Sequence, residues 1–390
     1  MARMRLAMAL VMVAALLALP ACAGTNGGDG PSAEPYRIGV VVSLTGTYAG
    51  LGIPAKQAIE LEVARINETG GVNGRPIDVV YEDDATDAAK AQAAAVRLIE
   101  QEGVMAIIGA SGTGQTMAMR SDIERAGIPQ VSMAGGSVIT DELSEWVFQT
   151  PWPNRVVIPF VLKQMAAAGL TEVALLSDTG GYGVDGRDII LAQAASAGVT
   201  IVADQTFNAG DTDMTAQLTA VRATDPDAVL VWNAGKEAAI VARNMRQLNM
   251  VQPMFGGSGI ARVEFIDGAG EAAEGVRLGT GKILVPEAFG VGSEQYTIAT
   301  DFIARYTDAY GAAPDIFAGH AYDAIWLIAD ALGRIDGEVT PAALRDALEA
   351  TDGYVSVGGI FTYSPDDHNG LSEKDMVLYV IEDGAWKLDQ

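Results

Sequence analysis

The chain has 390 residues, of which 49% are hydrophobic, so it is long enough for two domains with sizeable cores and is unlike a disordered or fibrous sequence. Its formal net charge of −25 would repel phosphate backbones, and we therefore expect no nucleic-acid partner. With a single cysteine, Cys22, the chain cannot form an intramolecular disulfide.

The N-terminus has the pattern of an export signal. Residues 1–21 combine the basic Arg3 and Arg5 with an apolar run too short to span a membrane, and they end in small residues. Cys22 follows and resembles the acylated cysteine of a bacterial lipobox, although a plain signal peptide with an incidental cysteine is the alternative. We expect residues 1–21 to be a signal peptide, Cys22 to carry lipid, and residues 22–35 to be a flexible tether.

From Tyr36 onward, short apolar strands alternate with amphipathic helices, a pattern typical of α/β folds with parallel sheets. In the first half we predict strands at 37–42, 77–82, 104–108 and 128–132, with helices at 53–69 and 87–101. The alternation stops at residues 150–154, where Pro151 and Pro153 fix φ and remove N–H donors. This break indicates a passage between two domains.

The same alternation restarts after the break, which predicts a second domain of the same type. We predict strands at 173–177, 199–207, 228–232, 276–284 and 376–382, with helices at 186–197, 214–224, 236–248, 293–310, 316–332 and 340–350. No close repeat of fixed period is present, which excludes a solenoid.

A loop of glycine and hydroxyl residues follows the strand at 104–108. A helical pattern begins near Gln115, so residues 109–114 are predicted to join a strand to a helix N-terminus. Such a junction presents unpaired N–H groups, and Ser111 and Thr113 add hydroxyls. The loop therefore predicts a small cup for a carboxylate or amide; the alternative is an ordinary turn between a strand and a helix.

Several enzyme classes lack their required residues. The Ser111 loop is similar to a nucleophile elbow, but that motif needs a glycine two residues after the serine, where this chain has Thr113. No run has the spacing of a nucleotide P-loop, and the Gly112/Gly114 pair lacks the third glycine of a dinucleotide site. We therefore expect binding without catalysis and without a cofactor.

Two histidines and one cysteine are too few for the usual zinc sites. We expect His320 to pack within a helix and His368 to be exposed in a loop. The adjacent aspartates at 83–84 and 366–367 are expected to be solvated or to cap helices, with metal binding or acid–base chemistry as the alternative.

Short motifs along the chain resemble those of the branched-chain amino-acid-binding proteins of ABC importers. The resemblance is carried, in order, by residues 36–46, 67–75, 82–84, 107–109, 127–132, 182–183, 210–213, 225–228, 272–275 and 321–324. Each motif is weak alone, but so many in one order are specific, and the resemblance as a whole covers about residues 36–382. The resemblance implies the type I periplasmic binding protein fold, in which two doubly wound α/β lobes with parallel sheets are joined by a three-segment hinge.

The resemblance also implies how the chain divides. Residues 36–152 and 281–375 would form lobe 1, and residues 153–280 and 376–390 would form lobe 2. A ligand would be held between the lobes, and hinge closure around it would present one closed surface to a membrane permease.

The family's carboxylate-binding positions match this sequence. Ser111 matches the hydroxyl that holds the ligand carboxylate, and Gly112 and Thr113 lie where backbone and side chain complete the cup. From the other lobe, Tyr182 matches the aromatic residue that closes over the ligand.

The positions that bind the α-amino group depart from the family pattern. Residues 132–137, which include Ala134, match the stretch that supplies a carbonyl and a threonine hydroxyl. The threonine position falls on Gly136, so Ser137 would have to substitute. Where an acidic residue usually pairs with the ammonium, this chain has Ser258. Because a buried ammonium without a carboxylate is costly, an α-amino acid and a deaminated or aromatic acid both stay open.

Selectivity for the rest of the ligand is expected from residues 48–51, which include Leu51, and from Trp152, with Asn233 as a polar contact. The alternatives are packing for Leu51 and Trp152 and a turn for Asn233. A tryptophan beside a carboxylate cup suits an aromatic or bulky apolar acid.

We therefore expect an exported, membrane-anchored and monomeric receptor. It would capture a small carboxylate-bearing ligand, either a branched-chain or hydrophobic amino acid or an aromatic or aliphatic acid, and deliver it to the permease of an ABC importer. One alternative is a ligand sensor of the same fold, of the amide or urea type, that acts through a regulatory partner. A hydrolase that uses Ser111 is another, for which the sequence offers no base.

Overall fold

The structure is a computed structural model that describes residues 34–389. The predicted signal peptide, Cys22 and most of the predicted tether lie outside this range. Within it, no helix combines the length and the apolar character needed to cross a membrane. The described chain contains two large sheets flanked by helices, which confirms the predicted α/β class.

The first sheet consists of five parallel strands. They are β1 (Tyr36–Val42), β2 (Ile77–Asp83), β3 (Ala106–Gly109), β4 (Gln130–Ser132) and β5 (Val147–Gln149), in the order β2-β1-β3-β4-β5. Strands β1 and β3 are buried on both faces, so their sequences are nearly continuous apolar runs. The strand order reverses between β1 and β3, and such a switch point leaves a crevice at the carboxyl ends of the strands.

The second sheet is mixed. Its strands are β6 (Glu172–Asp178), β7 (Thr200–Phe207), β8 (Ala228–Trp232), β9 (Met254–Gly256) and β10 (Arg277–Gly281), followed after a short hairpin of β11 (Tyr354–Val355) and β12 (Ile360–Phe361) by β13 (Met376–Glu382) and β14 (Ala385–Leu388). The order is β14-β13-β10-β9-β8-β6-β7. Strands β13 and β14 pair antiparallel at one edge, whereas β6 to β10 are parallel as predicted. This order also reverses at β6 and β8.

Helices connect the strands and cover both sheets. They are α1 (Ala49–Glu68), α2 (Ala88–Glu100), α3 (Thr113–Ala126), α4 (Val138–Asp141), α5 (Asn154–Ala167), α6 (Gly181–Gln193), α7 (Thr215–Arg222), α8 (Glu237–Gln247), α9 (Val263–Ala269), α10 (Glu294–Tyr310), α11 (Ile316–Arg334) and α12 (Pro341–Glu349). Helix α1 shows why they form, because its buried Leu51, Ala55, Ile59 and Ile66 recur at helical spacing and face the core.

The helices after β10 return to the first sheet. Glu62 of α1 is fully buried and accepts hydrogen bonds from Arg305 of α10 at 2.9 Å and from the indole of Trp326 in α11 at 2.8 Å. A buried carboxylate held by charged and neutral donors fixes these helices against one another. The contact places α10 and α11 against α1, while the division of the chain into two lobes stays a prediction.

Candidate ligand-binding site

The two switch points place loops from both sheets against each other. Tyr48 follows β1 and Ser111 follows β3, whereas Tyr182 follows β6 and Ala234 follows β8. A narrow cavity of about 30 Å³ lies among these four residues, so the two sheets are closely apposed here. Open parallel sheets bind ligands at such crevices, so the cavity occupies the position that the fold favours for a ligand.

Eight of the eleven predicted binding residues line this cavity. They are Leu51, Ser111, Gly112, Thr113, Ala134, Trp152, Tyr182 and Ser258. Their elements come from both sheets, and each of the large apolar or aromatic side chains is at most 7% exposed. These eight residues therefore line one cavity, although some of them lie more than 200 positions apart in the chain.

The hydroxyl cup lies at the start of α3. Ser111 Oγ accepts from the backbone N–H of Ser43 at 3.2 Å, and Thr113 Oγ1 accepts from that of Gly136 at 3.1 Å. Gly112 precedes the helix and no side chain caps it, so the N–H groups of the first turn are left for another acceptor. The positive end of the helix dipole favours an anion there, which makes the cup suited to a carboxylate.

Glycine is required at position 112 by close packing. A Cβ on Gly112 would lie 2.3 Å from Gln115 Oε1 and 2.7 Å from the ring of Tyr48. The absence of a side chain therefore lets the Tyr48 ring lie directly over the cup.

Three predicted binding residues lie outside the lining. Gly136 has no room for a side chain, because a Cβ would lie 2.3 Å from Thr113 Cγ2. Ser137 Oγ instead accepts from the N–H of Arg155 at 2.7 Å. The Asn233 amide donates to Asp178 at 3.0 Å and accepts from Ala238 at 3.2 Å, so it supports the loop after β8, in line with its turn alternative.

The structure adds cavity residues that the sequence reasoning missed, above all His320 and Phe317 at the start of α11. His320 was expected to pack within its helix. It does so, but its ring also lies edge-on to Trp152, with centroids 5.9 Å apart, and lines the cavity. The available signal was the spacing of Phe317 and His320, which places both on one face in the first turns of a helix.

The ionisation states of the lining follow from burial. Burial lowers the pKa of His320 to about 3, so its imidazole is neutral at physiological pH. Burial raises the pKa values of Tyr48 and Tyr182, which therefore keep their protons. Among residues 34–389, no carboxylate lines the cavity and no cluster of three possible metal ligands is found.

The prediction that His368 is exposed is wrong. The residue is fully buried and stacks on Phe148 with ring centroids 4.2 Å apart. Its Nδ1 lies 3.0 Å from the carbonyl oxygen of Val147, and the backbone of Gln149 donates to the His368 carbonyl at 3.0 Å. The residue ties the loop before β13 to strand β5 and lies outside the cavity lining.

Comparison with known proteins places the chain in a family. A family model described as periplasmic binding protein matches residues 35–385. The Leu/Ile/Val-binding protein homolog 3 of Brucella melitensis is 25% identical, with 95% of this chain and 97% of the relative covered. The leucine-, isoleucine-, valine-, threonine-, and alanine-binding protein of Pseudomonas aeruginosa is also 25% identical, with 89% of this chain and 90% of the relative covered.

Solved structures show the same fold. An extracellular ligand-binding receptor from Rhodopseudomonas palustris HaA2 has a TM-score of 0.85 at 25% identity, covering 91% of this chain and 99% of its own. The branched-chain amino acid transporter substrate binding protein LivJ of Streptococcus pneumoniae, solved in complex with isoleucine, has a TM-score of 0.79 at 26% identity, covering 90% and 98%.

These matches extend over nearly all of the described residues, and the family consists of solute-binding proteins and not of enzymes. Membership implies an extracytoplasmic location and a small-molecule ligand. The chain belongs to the periplasmic binding protein family.

Proposed function

We propose that the protein captures a small carboxylate-bearing ligand between its two sheets and delivers it to the permease of an ABC importer. The observation that carries the proposal is the cup of Ser111 and Thr113 at the uncapped start of α3, inside a cavity that both sheets enclose. Hydroxyls and helix N-terminal N–H groups bind a carboxylate without a counter-charge.

Two classes of ligand fit this proposal. The relatives named for leucine, isoleucine and valine support a branched-chain or hydrophobic amino acid. The aromatic rings of Tyr48, Trp152, Tyr182 and Phe317 in the lining support an aromatic or aliphatic acid. Both classes carry a carboxylate, so both use the same cup.

The origin of the lining residues supports capture by closure of two halves, each half being one sheet with its flanking helices. Because Ser111 follows a strand of the first sheet and Tyr182 follows a strand of the second, a ligand gains the contacts of both only when the halves are together. The ligand therefore shifts the equilibrium towards the closed form by its differential affinity for that form.

Membrane attachment through Cys22 is a further part of the proposal. It rests on the sequence alone, since Cys22 lies outside the described residues. Metabolic labelling with palmitate tests it: the label is expected in the wild-type protein and absent from Cys22→Ala. Equal labelling of both would contradict the anchor.

The proposal is tested by titration calorimetry with hydrophobic amino acids, 2-oxo acids and aromatic and aliphatic carboxylates, combined with small-angle scattering. We expect at least one carboxylate to bind with micromolar affinity or tighter, about −8 kcal/mol, and to reduce the radius of gyration. Uptake of the labelled ligand by cells that lack the gene then separates import from sensing. If cells that lack the gene take up the ligand normally but lose their regulatory response to it, the sensor is favoured.

A further inference from the structure

The hydroxyl groups of the cavity have protons that the protein does not use. The oxygens of Ser111, Thr113 and Ser258 each accept a hydrogen bond from another protein group, the last from Thr280 Oγ1 at 3.1 Å. Within residues 34–389, none of the three hydroxyls donates to a side chain or to the backbone. Each proton therefore needs an acceptor on the ligand, since a buried donor without one is costly.

Two aromatic residues of the lining add to this excess of donors. Trp152 Nε1 and the Tyr182 hydroxyl are buried and donate to no acceptor in the described part of the chain. An indole N–H can only donate, and the protonated Tyr182 hydroxyl has a proton to give. His320 does not change this balance, because a neutral imidazole offers one donor and one acceptor.

Three backbone carbonyls of the loop after β4 each already accept one hydrogen bond. The carbonyl oxygens of Ala134 and Gly136 accept from the Gln149 amide at 2.7 and 3.0 Å, and that of Gly135 accepts from the N–H of Asn154 at 2.9 Å. These carbonyls belong to the loop that, by resemblance, would receive an α-amino group. The lining thus combines several donors that have no acceptor in the described part of the chain with the lack of a lining carboxylate.

We propose that the polar group beside the ligand carboxylate, at C2, is an oxo or hydroxyl oxygen and not an ammonium. This inference rests on the proposed function and narrows its ligand class. An ammonium would bring three more donors and a positive charge to a cavity that no carboxylate lines. An oxygen at C2 accepts from donors that the carboxylate cup does not use, those of Ser258, Trp152 and Tyr182, without either cost.

The test compares ligands that differ only at C2. The protein is titrated with leucine, 4-methyl-2-oxopentanoate and 2-hydroxy-4-methylpentanoate, and with phenylalanine, phenylpyruvate and phenyllactate. We expect the oxo or hydroxy acid of the series that binds to have at least about tenfold higher affinity than its amino acid. Equal or tighter binding of the amino acid overturns the inference and leaves the proposed function intact.

The parent acids without a C2 substituent, 4-methylpentanoate and 3-phenylpropanoate, separate the two proposals. If they bind as tightly as the oxo and hydroxy acids, the carboxylate cup stands and the inferred acceptor at C2 is wrong. If neither these ligands nor any other carboxylate of the wider titration panel binds, the proposed function itself is wrong.

Two variants test which residues set the preference for an oxygen at C2. Ser258→Asp supplies the missing carboxylate, so it should shift the ratio of amino-acid to oxo-acid affinity by at least about tenfold towards the amino acid. Trp152→Phe removes the indole donor and should weaken oxo-acid binding about three- to tenfold while changing amino-acid binding less. Trp146→Phe, outside the cavity, is the matched control, and melting curves confirm that each variant folds. Unchanged ratios in both cavity variants contradict the inference.

Discussion

At the scale of single residues, each hydroxyl of the cup accepts a hydrogen bond from the protein and keeps its proton for a ligand. The Ser111 oxygen accepts from Ser43 N–H, which fixes the side chain, and the proton is left for a ligand. The Thr113 hydroxyl is arranged in the same way by Gly136. Protein contacts thus orient each donor before any ligand arrives, which lowers the entropic cost of binding.

Ser111→Ala tests the cup. We expect it to weaken binding of the tightest-binding acid of the titration panel by about 1–3 kcal/mol, because a hydrogen bond to a charged group is lost. Ser121→Ala, exposed in the same helix region, is the control and should leave affinity unchanged. Equal affinity of the Ser111 variant and the wild type, measured by calorimetry, would show that the cup does not hold the carboxylate.

His368→Ala tests the buried histidine. Loss of its stacking on Phe148 and of its hydrogen bond to Val147 should lower the free energy of unfolding by about 2–4 kcal/mol, as for other large buried side chains. Asp366→Ala, at an exposed neighbour, should change it by less than about 0.5 kcal/mol. Urea titrations of the wild type and both variants measure these changes. Similar midpoints for the two variants would refute the structural role of His368.

The two histidines show how far single residues can be interpreted from sequence. His320 lies in a long apolar helix, so its burial could be predicted, but its place in the cavity depends on which part of α11 meets the loop of Trp152. His368 lies in a polar loop, where exposure is the usual expectation. Its burial results from pairing of this loop with β5, a long-range contact that leaves no local pattern.

At the scale of elements, length decides which strands and helices can be predicted. The long strands β1 and β6 are recognisable as apolar runs, and helix α1 has enough residues to show helical periodicity. Strands β5 and β9 have only three residues each, too few to show alternation, and were missed. Helix α5 was missed because it follows two prolines and contains Pro159, which normally interrupts a helix.

Asp315, at the start of α11, is expected to make the free energy of unfolding depend on pH. Asp315 caps this helix by accepting from the N–H groups of Phe317 and Ala318 at 2.9 Å, and burial raises its pKa to about 7. The ordinary value is 3.8, so between about pH 4 and pH 7 the folded state binds more protons than the unfolded state. Stability associated with this group therefore falls as pH rises through that range.

Asp315→Asn keeps a capping oxygen and removes the titration, since Asn caps helices about as well as Asp. We expect its free energy of unfolding to decline less between pH 4 and pH 7 than that of the wild type. Denaturant titrations at several pH values measure both slopes. Parallel slopes would mean that Asp315 does not take up a proton on folding.

At the scale of the whole molecule, the binding site is where two switch points face each other. The family resemblance predicted that two α/β units enclose the ligand, and the cavity indeed takes its lining from loops of both sheets. What the sequence could not predict is the close approach between the halves. Gly181, at the start of α6, is so close to the start of α3 that a Cβ there would lie 2.7 Å from the N atom of Gly114.

Gly181→Val tests whether the halves must come together. The added side chain has no room in the closed form, but opening the halves relieves the overlap, so binding should weaken at least about tenfold while folding is retained. Gly333→Val is the control, because the nearest atom to its Cβ is a side-chain carbon 3.8 Å away. Calorimetry with the panel's tightest acid gives the affinities, and scattering should show that the Gly181 variant stays extended with ligand. Compaction like that of the wild type would contradict closure at this contact.

A crystal structure of the protein with its tightest-binding acid would show directly whether the cup holds the ligand carboxylate. We expect the ligand to lie between the two sheets, with its carboxylate within hydrogen-bonding distance of the Ser111 and Thr113 hydroxyls and the first N–H groups of α3. A carboxylate turned away from this cup, or a ligand bound outside the cavity, would contradict this expectation.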